Sequence, residues 1–551
     1  MNSSTTSYQQ TGYFSKLIID YLNGDEKLSS FYNLPFNIES FVQLIDQRKS
    51  MPINRVALVE SLQTQYQGVA ISELTNSNIL KLSSENTFTV ITGHQLNLFT
   101  GPLYFIYKII SAINLAKSLK NNYPEFDFVP VYWMATEDHD FEEINHFNFF
   151  GKKVELPKTQ QGAVGKMKLA GIQDVLNQLN EILGNRPQTE EILKLFSFFY
   201  SEEKTFTEAT RAFVNHLFGK HGLVIIDGDD TVLKKQMIGE FKSELTLQQN
   251  AKIINETTAK LEALGYKSQI TPRDINLFYL QNNSRERIVF EDGKYQVLNT
   301  SISFTEQEIL VELEKFPERF SPNVALRPMY QEKILPNLAY IGGGGELAYW
   351  FQLKQMFDVN HISFPILVLR NSALIIDEGS KKRLDKIGVS VMQLFGDTDL
   401  FINRFLKEGA DVVLDLKNEE NEIALIFNEM ITKAGKIDAT LKPMISAELQ
   451  KTLKTIQNID GRLIKAEKQK EEVTINQIKN IKEKLFPKGS LQERQENLVL
   501  LFLLIGFDAI DLLIAELNPL EQEFKLIEIL FSVFTRNATD STYFSHIFFT
   551  D

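Results

Sequence analysis

Three stretches of the sequence combine glycines with side chains that can do chemistry. In the first, residues 92–102 (TGHQLNLFTGP), two glycines let a ligand approach the backbone, and His94 and Gln95 can hydrogen-bond it. If a helix begins at Gly101, its free N–H groups suit an anion. The alternative is a tight turn in which His94 packs locally. The candidate residues are Thr92, Gly93, His94, Gln95, Asn97 and Gly101.

The second stretch, residues 133–140, ends in three carboxylates around an imidazole, and Asn145 and His146 follow a few residues on. Neighbouring carboxylates shift one another's pKa and His titrates near neutrality, so the pattern favours general acid–base chemistry. Carboxylate and imidazole ligands would also suit magnesium, manganese or zinc. A helix N-cap at Asp138 or Asp140 is the competing interpretation. The candidate residues are Trp133, Glu137, Asp138, His139, Asp140, Asn145 and His146.

The third stretch joins a polar and aromatic segment, 321–331, to four consecutive glycines at 342–345. Glycine runs are entropically costly, which favours a close ligand approach, although a structural bend would use them too. No Gly-Lys-Ser or Gly-Lys-Thr follows, so the run is not a Walker phosphate loop. Glu346 at the helix start could hold a substrate amine. The candidate residues are Arg327, Tyr330, Gln331, Gly343, Gly345, Glu346 and Trp350.

The elements around the first two stretches indicate a parallel sheet. Residues 88–91 and 128–134 are apolar runs typical of buried strands, and a helix is predicted between them from residue 101 to 119, with Pro102 in its first turn. Strand, helix and strand in this order form a βαβ unit. Ligands of such sheets bind beyond the carboxyl ends of the strands, where both stretches fall.

The rest of the chain divides at about residue 376. From about 377 strand signals fade, helical periodicity continues to the C-terminus, and a 3–4 spacing predicts a coiled coil at about 439–486. We expect an α/β core over 1–376 and a helical domain over 377–551. The core is predicted to contain a helical lead-in at 15–85, an insertion at about 141–220 with a hairpin at 147–154, and further strands at 223–227, 275–280, 287–290 and 364–369.

Composition excludes several classes of function. The 551 residues include no cysteine, which rules out disulfides, zinc fingers, iron–sulfur clusters and a thiol nucleophile. The formal net charge of −13 disfavours a broad nucleic-acid surface, although the segment 439–488 is net positive. Residues 1–10 lack the features of a secretory signal, and the apolar run 498–507 is too short to cross a bilayer. We therefore expect a cytoplasmic protein with no membrane partner.

Together the three stretches resemble the bacillithiol-biosynthesis cysteine-adding family, a family of cysteine ligases. The matching motifs are TGHQxxLxxGPLY at 92–104, PVYWxAxEDHDFxEINH at 130–146, and SPNVxLRPxYQ with GGxGELAYW at 321–350. FPKG at 486–489 and LQER at 491–494 also match. The resemblance spans nearly the whole chain and is far more specific than any single glycine pattern.

The resemblance implies a Rossmann-like core with inserted connecting segments and a coiled-coil domain through which two subunits pair as a homodimer. It implies a reaction that joins cysteine to glucosaminyl-malate to give the thiol bacillithiol. An activated cysteine carboxyl is needed for this amide, so ATP or another adenine nucleotide, and magnesium, are expected. The core is also distantly similar to class I aminoacyl-tRNA synthetases, whose Lys-Met-Ser-Lys-Ser loop is missing here. A synthetase-like enzyme or binder acting on RNA is therefore the alternative.

On this interpretation each stretch has a predicted role. Arg327 would bind the malate carboxylates, because a guanidinium matches a carboxylate in two hydrogen bonds. Asp138 and His139 would act as base or orienting pair for the attacking amine. The residues predicted to contact a nucleotide or the activated carboxyl are His94, Gln95 and Asn97, with Lys108 as a charge partner. The residues predicted to shape the malate pocket are Tyr330, Gln331, Glu346 and Trp350.

Overall fold

The computed structural model of the chain describes residues 2–157, 160–281, 283–409 and 416–529. The described residues of Met1–Ile376 and Ser490–Asp551 form one compact unit, and those of Asp377–Gly489 form another. In chain order the strands are β1 (Asn2–Thr6), β2 (Thr87–His94), β3 (Asp127–Met134), β4 (His146–Phe149), β5 (Lys152–Glu155), β6 (Val224–Asp227), β7 (Leu277–Gln281), β8 (Ser284–Glu291), β9 (Lys294–Val297), β10 (Ser303–Phe304), β11 (Phe320–Pro322), β12 (Asn337–Gly342), β13 (Ile366–Leu369), β14 (Ala373–Asp377) and β15 (Phe524–Ile529).

Helices account for most of the remaining described chain. In order they are α1 (Tyr8–Thr11), α2 (Lys16–Leu22), α3 (Ser40–Lys49), α4 (Arg55–Gln65), α5 (Glu73–Lys81), α6 (Tyr104–Asn122), α7 (Phe141–Ile144), α8 (Ile172–Leu183), α9 (Thr189–Phe199), α10 (Phe206–Phe218), α11 (Thr231–Lys234), α12 (Ile238–Leu247), α13 (Asn250–Ala263), α14 (Glu306–Lys315), α15 (Arg327–Ile334), α16 (Gly344–Val359), α17 (Glu378–Lys386), α18 (Thr398–Gly409), α19 (Lys417–Ile437), α20 (Leu441–Lys470), α21 (Glu472–Leu485), α22 (Leu498–Leu504) and α23 (Ala509–Glu516).

The centre of the first unit is a five-stranded sheet in the order β13-β12-β2-β3-β6, and every pair in it is parallel. Nearly every residue of β2 and β3 is buried, as expected where helices cover both faces of a parallel sheet. The chain leaves β2 towards β3 and β6, then returns to β12 and β13 on its other side. This reversal between β2 and β12 is the switch point at which such sheets bind ligands, so the predicted parallel sheet is confirmed.

The sheet region differs from the prediction in the start of one helix and in the presence of one further strand. The helix after β2 begins at Tyr104 rather than near Gly101, because Phe99, Thr100 and Gly101 all have positive φ (48°, 70° and 61°) and cannot continue a helix. Strand β12 was not predicted, since Pro336 and the glycine run leave only a short apolar segment between them. Its carboxyl end brings the glycine run to the switch point.

A second five-stranded sheet, β10-β9-β8-β7-β11, is antiparallel throughout. It contains the strands predicted near residues 275–280 and 287–290. The hairpin predicted at 147–154 is confirmed as β4 and β5, which pair antiparallel. Helices α8, α9 and α10 complete the insertion.

Residues 490–529 pack with the core, whereas the sequence analysis placed them in the helical domain. Strand β15 pairs antiparallel with β1, and Glu493 forms a fully buried ion pair with Arg370 at 2.7 Å. Asn497 donates its side-chain N–H groups to the carbonyls of Phe99 and Gly101, at 2.9 and 2.6 Å. Long-range pairings of this kind leave no periodic signal in sequence. The predicted helices beyond residue 529 lie outside the described residues.

The second unit is helical, as predicted, but its predicted coiled-coil helix is divided. It ends at Lys470 and resumes at Glu472, giving α20 and α21. Helix α20 packs against α19, to which it is joined by only three residues, so the two run antiparallel. Leu449 and Ile456 are buried on α20, while Ile459 and Leu463 are 46% and 39% exposed.

Among the described residues no single helix meets the length and hydropathy requirements of a membrane span. The segments Leu498–Leu504 and Ala509–Glu521 meet them only as a pair, with a bend of 97° between them.

Candidate active site

A cavity of about 780 Å³ opens at the carboxyl ends of β2, β3 and β12. One wall comes from these strand ends, and the opposite wall comes from the antiparallel sheet through Leu277, Phe278 and Pro322. All three predicted stretches meet in it. The predicted site residues that line the cavity are Gly93, His94, Gln95, Trp133, Glu137, Asp138, Arg327, Gly343, Gly345 and Glu346.

Three residues that line this cavity at the switch point, His94, Arg327 and Arg370, each have one fully buried side-chain nitrogen, and these three nitrogens have no hydrogen-bond partner among the described residues. They are Nε2 of His94, Nη2 of Arg327 and Nε of Arg370. Two glycines keep the space beside them open. A Cβ on Gly93 would lie 3.7 Å from Nη1 of Arg327, and one on Gly343 would lie 3.7 Å from Nε of Arg370. We call His94, Arg327 and Arg370 the donor corner.

The imidazole of His94 stays neutral at physiological pH. Burial and the charge of Lys108 lower its pKa from 6.5 to about 3, against the opposing effect of Glu346. Its ring packs 5.0 Å from that of Phe105, centroid to centroid. A neutral imidazole can donate or accept one hydrogen bond at Nε2, but it cannot cycle a proton near neutrality.

Lys108 and Glu346 neutralise each other below the donor corner. The ammonium of Lys108 is completely buried, lies 2.7 Å from Oε2 of Glu346, and also donates to the carbonyl of Gly93. Glu346 further accepts from the Gly343 N–H at 2.8 Å and from the Tyr340 hydroxyl at 2.9 Å. The Glu346 carboxylate thus accepts the Gly343 N–H at the start of its own helix, α16. Lys108 lies behind the cavity, where it binds β2 through the Gly93 carbonyl and α16 through Glu346.

Asp138 is an ionised carboxylate held by three side chains. Its Oδ2 accepts from the Gln95 amide, and its Oδ1 lies 3.4 Å from Nδ1 of His139 and 3.6 Å from Nη1 of Arg285. Burial alone would raise the pKa of Asp138, but the bonds from His139 and Gln95 and the charge of Arg285 hold it well below its usual range. Nδ1 of His139 lies 3.0 Å from Nη1 of Arg285. The arrangement suits orientation of a ligand better than proton abstraction.

A second ion-pair network supports the loop after β3. Lys234 is completely buried and binds Glu137 at 2.6 Å and Asp229 at 3.1 Å. Lys166, from the insertion, binds Asp229 at 2.8 Å. Thr136 donates to Asp227, whose pKa is raised to about 6 by burial. This network fixes Glu137 at the cavity wall.

The remaining predicted site residues lie outside the cavity lining. Thr92 donates to Ile341, Asn97 donates to the Glu143 carbonyl, and Gly101 turns the chain beside Asn97. Asp140 caps α7, while Asn145 and His146 bond each other and reach Glu155. Gln331 is buried against Arg327 and Trp350 against Tyr340. Tyr330 is buried against Trp133, and its hydroxyl donates to the Gly228 carbonyl.

Sequence reasoning missed five arginines that line the cavity: Arg273, Arg285, Arg287, Arg370 and Arg494. Arg370 directly follows β13, so the same strand-end argument could have found it. Arg285 and Arg287 are two residues apart on β8 and therefore share one face of the strand. Nothing local in the sequence indicates that this face covers the Rossmann-like sheet.

Within the described part of the chain, no group of three or more His, Asp or Glu side chains is arranged to hold a metal ion. The acidic run 137–140 does not form one, because Glu137 faces Lys234, Asp138 faces Gln95 and Arg285, and Asp140 caps a helix.

A parallel sheet with a cationic cavity at its switch point, joined to a helical coiled-coil domain, defines a Rossmann-like enzyme. Residues 1–371 match the N-terminal Rossmann-like domain of the bacillithiol biosynthesis BshC family, and residues 373–529 match its C-terminal coiled-coil domain. The chain belongs to this family.

Relatives of the chain match more than nine-tenths of its length. Proteins named "Putative cysteine ligase BshC" from Flavobacterium psychrophilum, Flavobacterium johnsoniae and Cytophaga hutchinsonii are 46%, 45% and 40% identical to it, over 96%, 96% and 93% of this chain and 100%, 100% and 96% of their own lengths. A solved structure titled as a putative arginyl tRNA synthetase from Campylobacter jejuni covers 78% of this chain and 91% of its own at 12% identity, but its TM-score is only 0.21.

Proposed function

We propose that this chain is a cytoplasmic ligase that joins the carboxyl group of cysteine to the amino group of glucosaminyl-malate, completing bacillithiol biosynthesis. Family membership and the cysteine-ligase name of the relatives support the reaction class. The donor corner is the observation that carries the substrate assignment. Its three residues line the cavity at the switch point, and each has one buried nitrogen without a partner among the described residues, from which we infer that they bind an anionic group there.

The malate carboxylates fit the donor corner. Buried donors without partners are costly, so a carboxylate that accepts from Arg327 and Arg370 would recover hydrogen bonds that the protein alone leaves unmade. Gly93 and Gly343 leave the space that such a group needs. Arg370 extends the role first predicted for Arg327 alone. Gln331 holds Arg327, Trp350 packs on Tyr340, and Tyr330 packs on Trp133 at the cavity wall.

A nucleotide fits the donor set of the same cavity. Six guanidinium groups line it, and arginine matches phosphate oxygens in paired hydrogen bonds. Bound ATP would supply the activation of the cysteine carboxyl. Arg273 and Arg287, which form no ion pair within the described ranges, would hold its phosphates, with His94 and Gln95 at the far wall. Magnesium would bind mainly through the phosphates, as is usual for this ion.

Asp138 and His139 then orient the attacking amine. The Asp138 carboxylate can accept a hydrogen bond from the sugar ammonium while Gln95 and Arg285 keep it in place. Its low pKa makes it a weak base, so its contribution is position and charge. The amine nitrogen must finally bond to the cysteine carbonyl carbon.

We also propose that two chains pair through their coiled-coil units. Several large apolar side chains on α19 and α20 are strongly exposed within the unit, which favours a partner surface. They are Leu425, Ile426, Met430, Ile437 and Met444.

The proposal is tested by a mass-spectrometric thiol assay. Purified protein is incubated with cysteine, glucosaminyl-malate, magnesium and ATP, beside the same mixture without ATP. We expect a product with the mass of the two substrates less one water, and only in the presence of ATP. Product in both mixtures would remove the nucleotide from the proposal, and product in neither would overturn the ligase assignment.

A further inference from the structure

The short helix α7 carries a cavity-lining carboxyl group, that of Glu143, to which no role has been given. The backbone N–H and the backbone carbonyl of Glu143 both form hydrogen bonds. The N–H donates to Oδ1 of Asp140 at 3.2 Å, and the carbonyl accepts from the Asn97 amide at 2.9 Å. Asn97 belongs to the loop after β2. The backbone of Glu143 is therefore held between the first and second predicted stretches.

Glu143 differs from the other carboxylates that line the cavity. Glu137 is neutralised by Lys234, Asp138 faces Arg285, and Glu346 faces Lys108. The Glu143 carboxyl has no hydrogen bond or ion pair to any residue that the structure describes, and it is open to the cavity. It is the carboxylate of this wall that remains free to receive a proton.

The electrostatic surroundings of Glu143 make it a better base than Asp138. Glu143 is an exposed residue, but desolvation of its carboxyl by the surrounding chain, together with the negative charges of Asp138 and Asp140, raises its pKa above the usual value. The other titratable group that feels its charge is the hydroxyl of Tyr104 on α6, whose own pKa is raised by burial and by Glu346. A carboxyl whose pKa lies nearer neutrality accepts a proton more readily in a transition state.

We propose that Glu143 is the general base of the ligation, an inference that rests on the proposed function. Glu143 removes one proton from the ammonium group of glucosaminyl-malate, which frees the nitrogen lone pair. The nitrogen bonds to the carbonyl carbon of a cysteine acyl phosphate or acyl adenylate, and the bond from that carbon to the phosphate oxygen breaks. The second N–H proton passes to water, and phosphate or nucleotide leaves with the electron pair.

The test compares Glu143→Gln with Glu142→Gln, a matched change of an exposed neighbour on the same helix that does not line the cavity. At neutral pH we expect kcat/KM for glucosaminyl-malate to fall about 100-fold in Glu143→Gln and to change less than about twofold in the control. Calorimetric binding of glucosaminyl-malate should weaken by no more than about fivefold in Glu143→Gln, because one exposed carboxylate–ammonium contact is lost, and should be unchanged in the control.

The pH profile separates a base from a merely structural residue. The wild-type kcat/KM should be level between the pKa of Glu143 and that of the sugar amine. In Glu143→Gln it should rise about tenfold per pH unit over that range, because only the free amine then reacts. Hydroxylamine, which is largely unprotonated at neutral pH, should accept the cysteinyl group equally well from both proteins.

Three outcomes would overturn this inference, and they are distinguishable. An active wild type with an unaffected Glu143→Gln variant refutes the role of Glu143 alone. Loss of calorimetric binding in that variant makes Glu143 a binding residue. A wild type that forms no amide under any condition refutes the proposed function, and the role of Glu143 with it.

Discussion

At the residue scale, Asp138 is held at the cavity wall by Gln95, His139 and Arg285. Replacing it with Asn removes the charge that faces Arg285 but keeps the shape of the side chain. We expect kcat to fall at least about 100-fold, because the amine loses its orienting carboxylate. The measurement is steady-state kinetics with the thiol assay.

The same Asp138→Asn protein should remain folded, since Arg285 keeps its bonds to Ser321 and to the Pro322 carbonyl. Its thermal midpoint should lie within a few degrees of the wild type. Full activity in a folded variant would show that Asp138 has no role in the reaction. A large fall in the thermal midpoint would show that its role is structural.

Sequence reasoning predicted those residues of the site that belong to distinctive motifs. His94, Asp138, Arg327 and Glu346 were named from their motifs, and all four line one cavity. Charge partners were harder to predict. Lys108 was expected to face a ligand, but it is buried against Glu346, because an unpaired carboxylate at that depth would be costly.

At the element scale, the insertion locks the loop that carries Asp138. The N–H of Val164 donates to the Asp138 carbonyl at 2.6 Å, and that of Gly165 donates to the Thr136 carbonyl at 2.8 Å. A Cβ on Gly165 would lie 2.7 Å from the Cβ of Thr136. Only glycine therefore fits where the insertion meets this loop.

We expect Gly165→Ala to displace the 136–138 loop. The displacement that avoids the clash should lower the free energy of unfolding by about 1–3 kcal/mol. It should also lower kcat at least about tenfold. Urea unfolding and the thiol assay measure the two effects. The control is Gly239→Ala, on α12, where a Cβ meets nothing within 4 Å. Equal behaviour of the two variants would show that the insertion does not position the loop.

Element prediction succeeded for long periodic segments and failed where tertiary contacts decide. The βαβ unit of β2, α6 and β3 follows from two apolar runs and the helix between them. Strand β12 is buried beside β2, yet its six residues end in a glycine run that reads as a loop. Such a strand is stabilised by its neighbours and has little local signal.

At the scale of the whole molecule, residues 490–529 return to the first unit through buried polar contacts. Glu496 makes one of these contacts. It is 4% exposed, and its carboxylate accepts from the Phe150 N–H at the tip of the β4–β5 hairpin, at 3.2 Å. Burial raises the pKa of Glu496 from 4.5 to about 7.

This shift makes stability depend on pH. Between pH 4.5 and 7 the folded chain keeps a proton that the unfolded chain has lost, so rising pH destabilises the fold across this window. Glu496→Gln removes the effect and keeps an acceptor for Phe150. We expect it to raise the unfolding free energy at pH 8 by at most about 3 kcal/mol and to change little at pH 4. Urea unfolding at both values tests this against Glu142→Gln, and an equal change at both contradicts it.

The proposed pairing of two chains through the coiled-coil unit can be tested on α19. On α19, Ile426, Met430 and Ile437 are 53%, 47% and 84% exposed, and their spacing of four and seven residues places them on one face of the helix. We expect the wild-type chain to sediment as a dimer at micromolar concentration, and Ile426→Lys with Met430→Lys to sediment as a monomer, because two buried ammonium groups per chain would not be compensated. Val56→Lys, an exposed apolar position on α4, should leave the dimer intact. A monomeric wild type, or a dimeric double variant, would exclude this face as the interface.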